Sequence, residues 1–160
     1  MWLNLSLKDV EFKMKIEDYL PNNGELYSNG NWTRISCRIK MGNVINYSSD
    51  RSEIFLSLQI DEFKEYLKDF LNNELDGEIT AYDSFEPAVW LYFHRYDMSL
   101  DADIRLRNLL NYFTKHRLVL EFKKDNLKNL YQYLCLITSE ISKDDDSIIE
   151  LINIGVLSDS

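Results

Sequence analysis

Glycine, proline and cysteine are scarce in this 160-residue chain, which contains five, two and two of them. So few glycines and prolines argue against a long flexible linker. Cys37 and Cys135 form no CxxC spacing, so a disulfide framework is not expected. Each cysteine falls within a strand or helix pattern, which favours small buried side chains in a reducing compartment.

Long apolar runs and positive charge are also lacking. No run approaches the roughly 18 apolar residues of a membrane span, and the sequence does not open with a basic segment followed by an apolar run. We therefore expect a cytoplasmic protein with no membrane partner. The formal net charge is −9 and the pI is near 4.7, which argues against coating nucleic acid through overall charge. It suits a basic partner or an ordinary solvated acidic surface.

Signatures of catalysis and of metal binding are absent from the sequence. It has no GxSxG, P-loop or GxGxxG motif, and its two histidines have no HxxxH spacing. We expect His94 on a sheet face and His116 at an exposed turn. Asp97, Asp101 and Asp103 could hold Ca²⁺ or meet a basic partner, but no EF-hand glycine or glutamate accompanies them, which favours a solvated loop. The sequence predicts no enzyme, no cofactor and no metal.

Strict alternation over residues 88–96 is the clearest positive signal. One side of an extended chain would be aliphatic or phenyl, and the other would be aromatic and polar. The second set consists of Trp90, Tyr92, His94 and Tyr96. We predict a central strand here, with its first face against helices and its second face open for function.

The other patterns place strands in consecutive runs with two helices between them. Alternation predicts strands over residues 2–7, 11–19, 31–41, 44–47, 78–83, 100–107 and 117–123. Residues 53–58 fit a short strand or a lead-in to a helix, with a polar break at 48–52 and a turn at 84–87. Residues 108–116 fit either a helical turn or a bulged strand. This order predicts an α+β fold, in which a curved antiparallel sheet has two amphipathic helices packed on one face.

The two helices are predicted from apolar residues spaced three and four apart. Asp61 is the expected N-cap of the first helix and Asp125 that of the second. The buried stripes are Ile60, Phe63, Leu67, Phe70 and Leu71 in the first, and Leu127, Leu130, Tyr131, Leu134, Ile137, Thr138 and Ile141 in the second. A chain of this length predicts a single domain over 1–160, with a core about 2–141 and a C-terminal extension, 142–160, docked on it.

A set of aromatic residues, strands and helices follows an order in this chain that is also found in a known group of proteins. They are Trp2 opening a hairpin whose second strand is 12–16, the segments 19–21, 31–32 and 54–58, the helix 63–71, the strands 90–96, 102–107 and 118–122, and a closing helix. With these features, residues 2–141 resemble the WapI-like immunity proteins of bacterial polymorphic toxin systems. The resemblance implies a protein that blocks a sister toxin domain by binding it, without catalysis.

The negative charge of the chain suits a basic toxin such as a nuclease, because complementary charge speeds association. The predicted partner-binding residues are acidic positions on helix faces and loops: Glu62, Glu65, Asp69, Asp83, Glu86, Asp97, Asp101 and Asp103.

An alternative site is the basic and aromatic face of the predicted sheet. Such a face could hold single-stranded nucleic acid or another anionic ligand, an acidic protein, or only its own cross-strand pairs. Its principal residues are Trp32, Arg34, Arg38, Trp90, Tyr92, His94, Tyr96, Arg105 and Arg107, with Lys13, Lys15, Lys40 and Arg117 beside them.

Overall fold

The computed structural model describes residues 1–21, 31–83, 88–108 and 112–159. The strands are β1 (Trp2–Leu7), β2 (Val10–Glu17), β3 (Trp32–Met41), β4 (Ile45–Leu56), β5 (Ile79–Asp83), β6 (Val89–His94), β7 (Ser99–Arg107), β8 (Phe113–Phe122) and β9 (Leu157–Ser158), and the helices are α1 (Ser57–Leu71), α2 (Lys124–Ile137) and α3 (Asp146–Asn153). Within these residues, none of the helices has the length and apolar character needed to cross a membrane.

The strands form two antiparallel sheets. The five-stranded sheet has the order β4-β3-β2-β1-β9, and the four-stranded sheet has the order β5-β6-β7-β8. The predicted α+β class with curved antiparallel pairing is confirmed. The structure adds that the strands divide between two sheets and that a third helix follows the two predicted ones.

The core lies between the inner faces of the two sheets and is closed by α1 and α2. Phe12 of β2 meets Phe122 of β8 edge to face, with ring centroids 5.3 Å apart. Phe93 of β6 packs against Phe63 and Phe70 of α1, at 6.3 and 5.0 Å. An apolar cavity of about 120 Å³ remains between both sheets and both helices.

Both helices begin without the predicted aspartate caps. The carboxylate of Asp61 instead accepts a hydrogen bond from Tyr19 Oη at 2.7 Å, and α1 begins a turn earlier. There the Gln59 side chain accepts from the Leu56 amide at 3.1 Å. At α2, Asn126 accepts from the Lys123 amide at 3.1 Å. In each helix an amide side chain in the first turn reaches back to the backbone, so the aspartate is not needed as a cap.

The predicted polar break at 48–52 is wrong, because these residues lie inside the long strand β4. Their backbone pairs with β3, while β4 is the edge of its sheet and most of these polar side chains face solvent. A register shift occurs here, and Arg51 has a positive φ of 51°. Ser36 of β3 is buried, and its hydroxyl accepts from the Arg51 amide at 3.1 Å.

Two less regular regions have different outcomes. Strand β8 begins at Phe113, so the strand interpretation of 108–116 holds for its last four residues. Residues 109–111 and the predicted turn at 84–87 lie outside the described residues. In the C-terminal extension, the Asp145 carboxylate accepts from the Ser147 amide at 2.9 Å and caps α3. Strand β9 then pairs with β1, and Leu157 is buried in the core.

Tyr133 of α2 was not among the predicted buried residues, yet its side chain is completely buried. Its hydroxyl accepts from the Ile16 amide at 2.9 Å and donates to the Met1 carbonyl at 3.2 Å. Burial raises the pKa of Tyr133 to about 12, so the phenol remains protonated and able to donate. It therefore fastens the helix to β2 and to the first residue of the chain.

We expect Tyr133→Phe to lower the free energy of unfolding by about 1–2 kcal/mol, because the Ile16 amide would lose its buried acceptor. Urea denaturation measures the change. Tyr112→Phe is the matched control, since Tyr112 is 69% exposed and its loss of a hydroxyl should change stability by less than about 0.5 kcal/mol. Equal effects of the two substitutions would contradict the role assigned to Tyr133.

Candidate partner-binding site

The outer face of the four-stranded sheet contains the aromatic residues singled out by the alternation. In β6, Leu91 and Phe93 are buried, while Trp90, Tyr92 and His94 project to the opposite side, as predicted. Tyr96 lies just beyond β6 and is fully exposed. We define the outer face by its outward side chains: Ile79, Ala81, Trp90, Tyr92, His94, Asp101, Asp103, Arg105, Arg117, Val119 and Glu121.

Apolar side chains are exposed over much of this outer face. Ile79 is 61% exposed, Val119 is 60% exposed and Tyr92 is 37% exposed. The register places Tyr92 between Ala81 and Asp101, and Val119 opposite Asp103. The acidic residues of β7 separate Tyr92 from Val119, so these apolar side chains share the outer face without forming one continuous patch.

Charged groups of the outer face are already held in place by one another. The Arg117 guanidinium lies 4.3 Å from the centroid of the Trp90 ring and donates to Asp103 Oδ2 at 2.9 Å. Arg105 donates through Nε to the Thr114 carbonyl at 2.8 Å. Because these side chains are ordered before any partner arrives, a partner would lose less conformational entropy in contacting them.

An open recess of about 640 Å³ occupies one end of the outer face. His94 Nε2 lies 3.0 Å from Asp101 Oδ2, and Ser99 donates to Asp97 at 2.7 Å. That hydrogen bond, together with Lys123, holds the pKa of Asp97 below its usual value. The lining consists of Glu78, Ile79, His94, Tyr96, Asp97, Ser99, Asp101 and Glu121. With four carboxylates in its lining, the recess is suited to positively charged groups.

The arrangement offers little conventional chemistry. In the recess, the Ser99 hydroxyl donates to Asp97 and not to His94. Burial raises the pKa of the Cys37 thiol to about 12, and it also raises that of Cys135, so both thiols remain protonated. Across the described ranges, no group of three or more His, Cys, Asp or Glu side chains is placed to hold a metal ion.

The predicted acidic set does not form one surface. Glu62, Glu65 and Asp69 lie on α1, which packs against the inner side of the four-stranded sheet through Phe93. Asp101 and Asp103 lie on the outer side, and Asp97 lies in the turn before β7. The sheet separates the two groups. Asp83 pairs with Trp90 through its strand, but its side chain and all of Glu86 lie outside what the structure describes.

The alternative basic and aromatic set is divided as well, because its residues belong to different sheets. Trp32, Arg34 and Arg38 lie on β3 of the five-stranded sheet. There Arg34 pairs with Asp18 at 3.1 Å, and Arg38 lies 4.5 Å from the centroid of the Trp2 ring. The remaining members lie on or beside the four-stranded sheet: Trp90, Tyr92, His94, Tyr96, Arg105 and Arg107.

Carboxylates interrupt the positive charge even on the four-stranded sheet. Asp101 and Asp103 of β7 precede Arg105 along the outer face, and Glu121 lies opposite Asp101. Arg107 reaches the Phe113 ring, with its guanidinium 4.2 Å from the centroid. The outer face is therefore mixed in charge, and its exposed aliphatic side chains, Ile79 and Val119, lie on the two edge strands.

Sequence reasoning missed the apolar members of the outer face. Ile79 and Val119 belong to strands whose alternation was recognised, but the neighbours of those strands were not known. Only the pairing of the strands places these side chains on the same face as Trp90 and Tyr92, with Ile79 opposite His94 and Val119 opposite Asp103.

A scan against models of protein families found none that matches this chain, and a search of curated proteins also found no match.

Proposed function

We propose that this chain is a cytoplasmic immunity protein of a bacterial polymorphic toxin system, which binds its cognate toxin domain and neutralises it without chemistry of its own. The proposal is supported by the order of strands, helices and aromatic anchors that resembles such proteins. The observation that carries it is the outer face of the four-stranded sheet. Exposed Ile79, Tyr92 and Val119 lie there among charged side chains that are already ordered.

This composition is that of a protein interface. Such interfaces combine an apolar and aromatic centre with a polar rim, and they are enriched in tyrosine, tryptophan and arginine. The acidic recess at one end of the outer face suits a basic side chain of the partner. A toxin domain with a basic active-site surface, such as a nuclease, fits this description.

A module for single-stranded nucleic acid is less well supported. Trp90 and Tyr92 could stack on bases, but Asp101, Asp103 and Glu121 share their face and would repel phosphates. Strong salt-sensitive binding of an oligonucleotide would favour this alternative over the immunity function.

The decisive experiment uses the domain at the C-terminal end of the protein encoded immediately upstream of this gene. Titration of that domain with this chain by calorimetry should give one-to-one binding in about the nanomolar range, with loss of toxin activity. Absence of heat at micromolar concentrations would overturn the proposed function.

We expect Val119→Asp to weaken binding of that toxin domain by about 30-fold or more, because a charged carboxylate would replace one of the exposed apolar side chains that the partner would cover. Val44→Asp is the matched control. Val44 is also a largely exposed valine, at 82%, but it lies in the turn between β3 and β4 of the other sheet. Calorimetry should give an unchanged affinity for the control. Equal affinities of both variants would exclude the outer face as the binding surface.

A further inference from the structure

Two pairs of like charges lie directly opposite each other on the outer face of the four-stranded sheet. Asp101 of β7 is opposite Glu121 of β8, and Arg105 of β7 is opposite Arg117 of β8. Like charges in directly opposed positions destabilise a sheet. Each member also has a contact within the chain: His94 lies against Asp101, Lys123 against Glu121, Asp103 against Arg117 and the Thr114 carbonyl against Arg105.

The two pairs are related by position as well as by sign. On β7 the order is Asp101, Asp103, Arg105, and on β8 the antiparallel order is Glu121, Val119, Arg117. The row formed by Asp103 and Val119 thus lies midway between an acidic row and a basic row. Four residues along a strand separate those rows by roughly 13 Å.

From this pattern we infer that the outer face pairs with the outer face of a second copy of this chain. A two-fold axis lying across the strands at the row of Asp103 and Val119 would bring each acidic row over the basic row of the other copy. Glu121 would meet the second copy's Arg117, and Asp101 would meet its Arg105. Such self-complementarity is what an isologous two-fold interface requires.

The row on the two-fold axis contains Trp90, Asp103 and Val119. The Asp103 side chain is only 15% exposed and accepts a hydrogen bond from Arg117 of its own copy at 2.9 Å. Val119 is largely exposed. The like-charge pairs would each gain partners of opposite sign, and the exposed valine would be covered. Because a face of four short strands is small for a permanent interface, we expect a concentration-dependent dimer that weakens as salt is added.

The second copy would occupy the same face as the proposed toxin partner, so the two would compete for it. The inference rests on the charge pattern and not on the identity of the toxin. If the chain never self-associates, the inferred dimer is overturned and the proposed function is unaffected. If the toxin domain does not bind, the proposed function is overturned and the inferred dimer is unaffected.

The test is a charge exchange, measured by sedimentation velocity on the full chain at concentrations up to about 1 mM. Glu121→Arg places an arginine against the second copy's Arg117, and Arg117→Glu places a glutamate against its Glu121. Each variant alone should dimerise about 30-fold more weakly than the unaltered chain. When the two variants are mixed, both contacts become attractive, and hetero-association should return to within about threefold of the unaltered chain.

Lys40→Glu, on β3 of the five-stranded sheet, is the control for a change of net charge, and it should dimerise as the unaltered chain does. Thermal unfolding of every variant shows that it is folded. The inference is overturned if the unaltered chain remains monomeric at low salt, if the variants alone dimerise undiminished, or if their mixture associates no better than either one. A stable mixture of folded variants with restored dimerisation establishes the two-fold arrangement.

Discussion

Replacement of Phe93 by alanine is expected to lower the free energy of unfolding by about 3–5 kcal/mol. Phe93 is completely buried and lies near the end of β6. Its ring lies 5.0 Å from that of Phe70, 5.1 Å from that of Tyr66 and 6.3 Å from that of Phe63, all on α1. Truncation would remove these three ring contacts and leave a cavity, although Tyr82 of β5 would still contact Phe63 and Tyr66 of the helix.

Tyr92→Ala provides the comparison one position earlier in the same strand. Tyr92 projects from the outer face and is 37% exposed, so its truncation should cost about 1 kcal/mol or less. Urea denaturation of both variants, with the slope checked for a change in the surface exposed, measures the difference. Similar losses at positions 92 and 93 would mean that the two faces of β6 do not differ in burial, contrary to the structure.

This contrast between positions 92 and 93 was predictable from the sequence, since alternation alone assigns side chains to opposite faces of a strand. Alternation along β3 likewise puts Ile35 and Ile39 on one face of that strand, and both are buried. The partition into two sheets was not predictable, because it depends on pairings between distant segments. Strand β9 joins β1 across almost the whole chain, and no local pattern specifies that contact.

Local signals failed where tertiary contacts competed with them. Asp61 has the character of an N-cap, but its carboxylate bonds to Tyr19 and the helix begins at Ser57. Residues 48–52 have a loop-like composition, yet backbone pairing with β3 keeps them in a strand. Polar residues can occupy an edge strand because one side of it remains in water.

The candidate site was predicted only in part, because local patterns describe single strands and not their neighbours. Trp90, Tyr92 and His94 were assigned to one open face, because they belong to one strand. The prediction that Arg34, Arg38 and Arg105 share one surface depended on which strands are neighbours, and the sequence does not specify that. In the structure they lie on different sheets, and the acidic residues of α1 lie on the inner side of the sheet that presents Asp101.

The second large effect is expected at Lys64, a basic residue that α1 buries almost completely. Its ammonium contacts the Glu140 carboxylate and lies 3.2 Å from the Thr138 hydroxyl, just beyond the end of α2. The side chain of Lys64 is 6% exposed, whereas that of Glu140 is 45% exposed. The two members of the pair are therefore unequal: the cation depends on its partner for solvation, and the anion retains water.

We expect Glu140→Gln to cost roughly 2–3 kcal/mol at pH 7, because it leaves a buried ammonium without its main counter-ion. The loss stays below that of a fully buried pair because Glu65 lies 3.7 Å from the same ammonium. Lys64→Met should cost about 1 kcal/mol or less, since a thioether chain fills the site and Glu140 can turn to solvent. Urea denaturation of both variants and of the double variant measures this asymmetry, which equal losses would refute.

Acid should abolish the difference between the unaltered chain and Glu140→Gln. The hydrogen bond from Lys64 holds the pKa of Glu140 below its usual value. A carboxyl group whose pKa is depressed by folding contributes stability above its unfolded pKa, which is about 4.3. That contribution is lost as the pH falls through the lower folded value. The two proteins should thus differ constantly between pH 6 and 8 and converge once the pH has fallen below the lowered pKa of Glu140, because a protonated Glu140, like a glutamine, gives Lys64 no counter-ion.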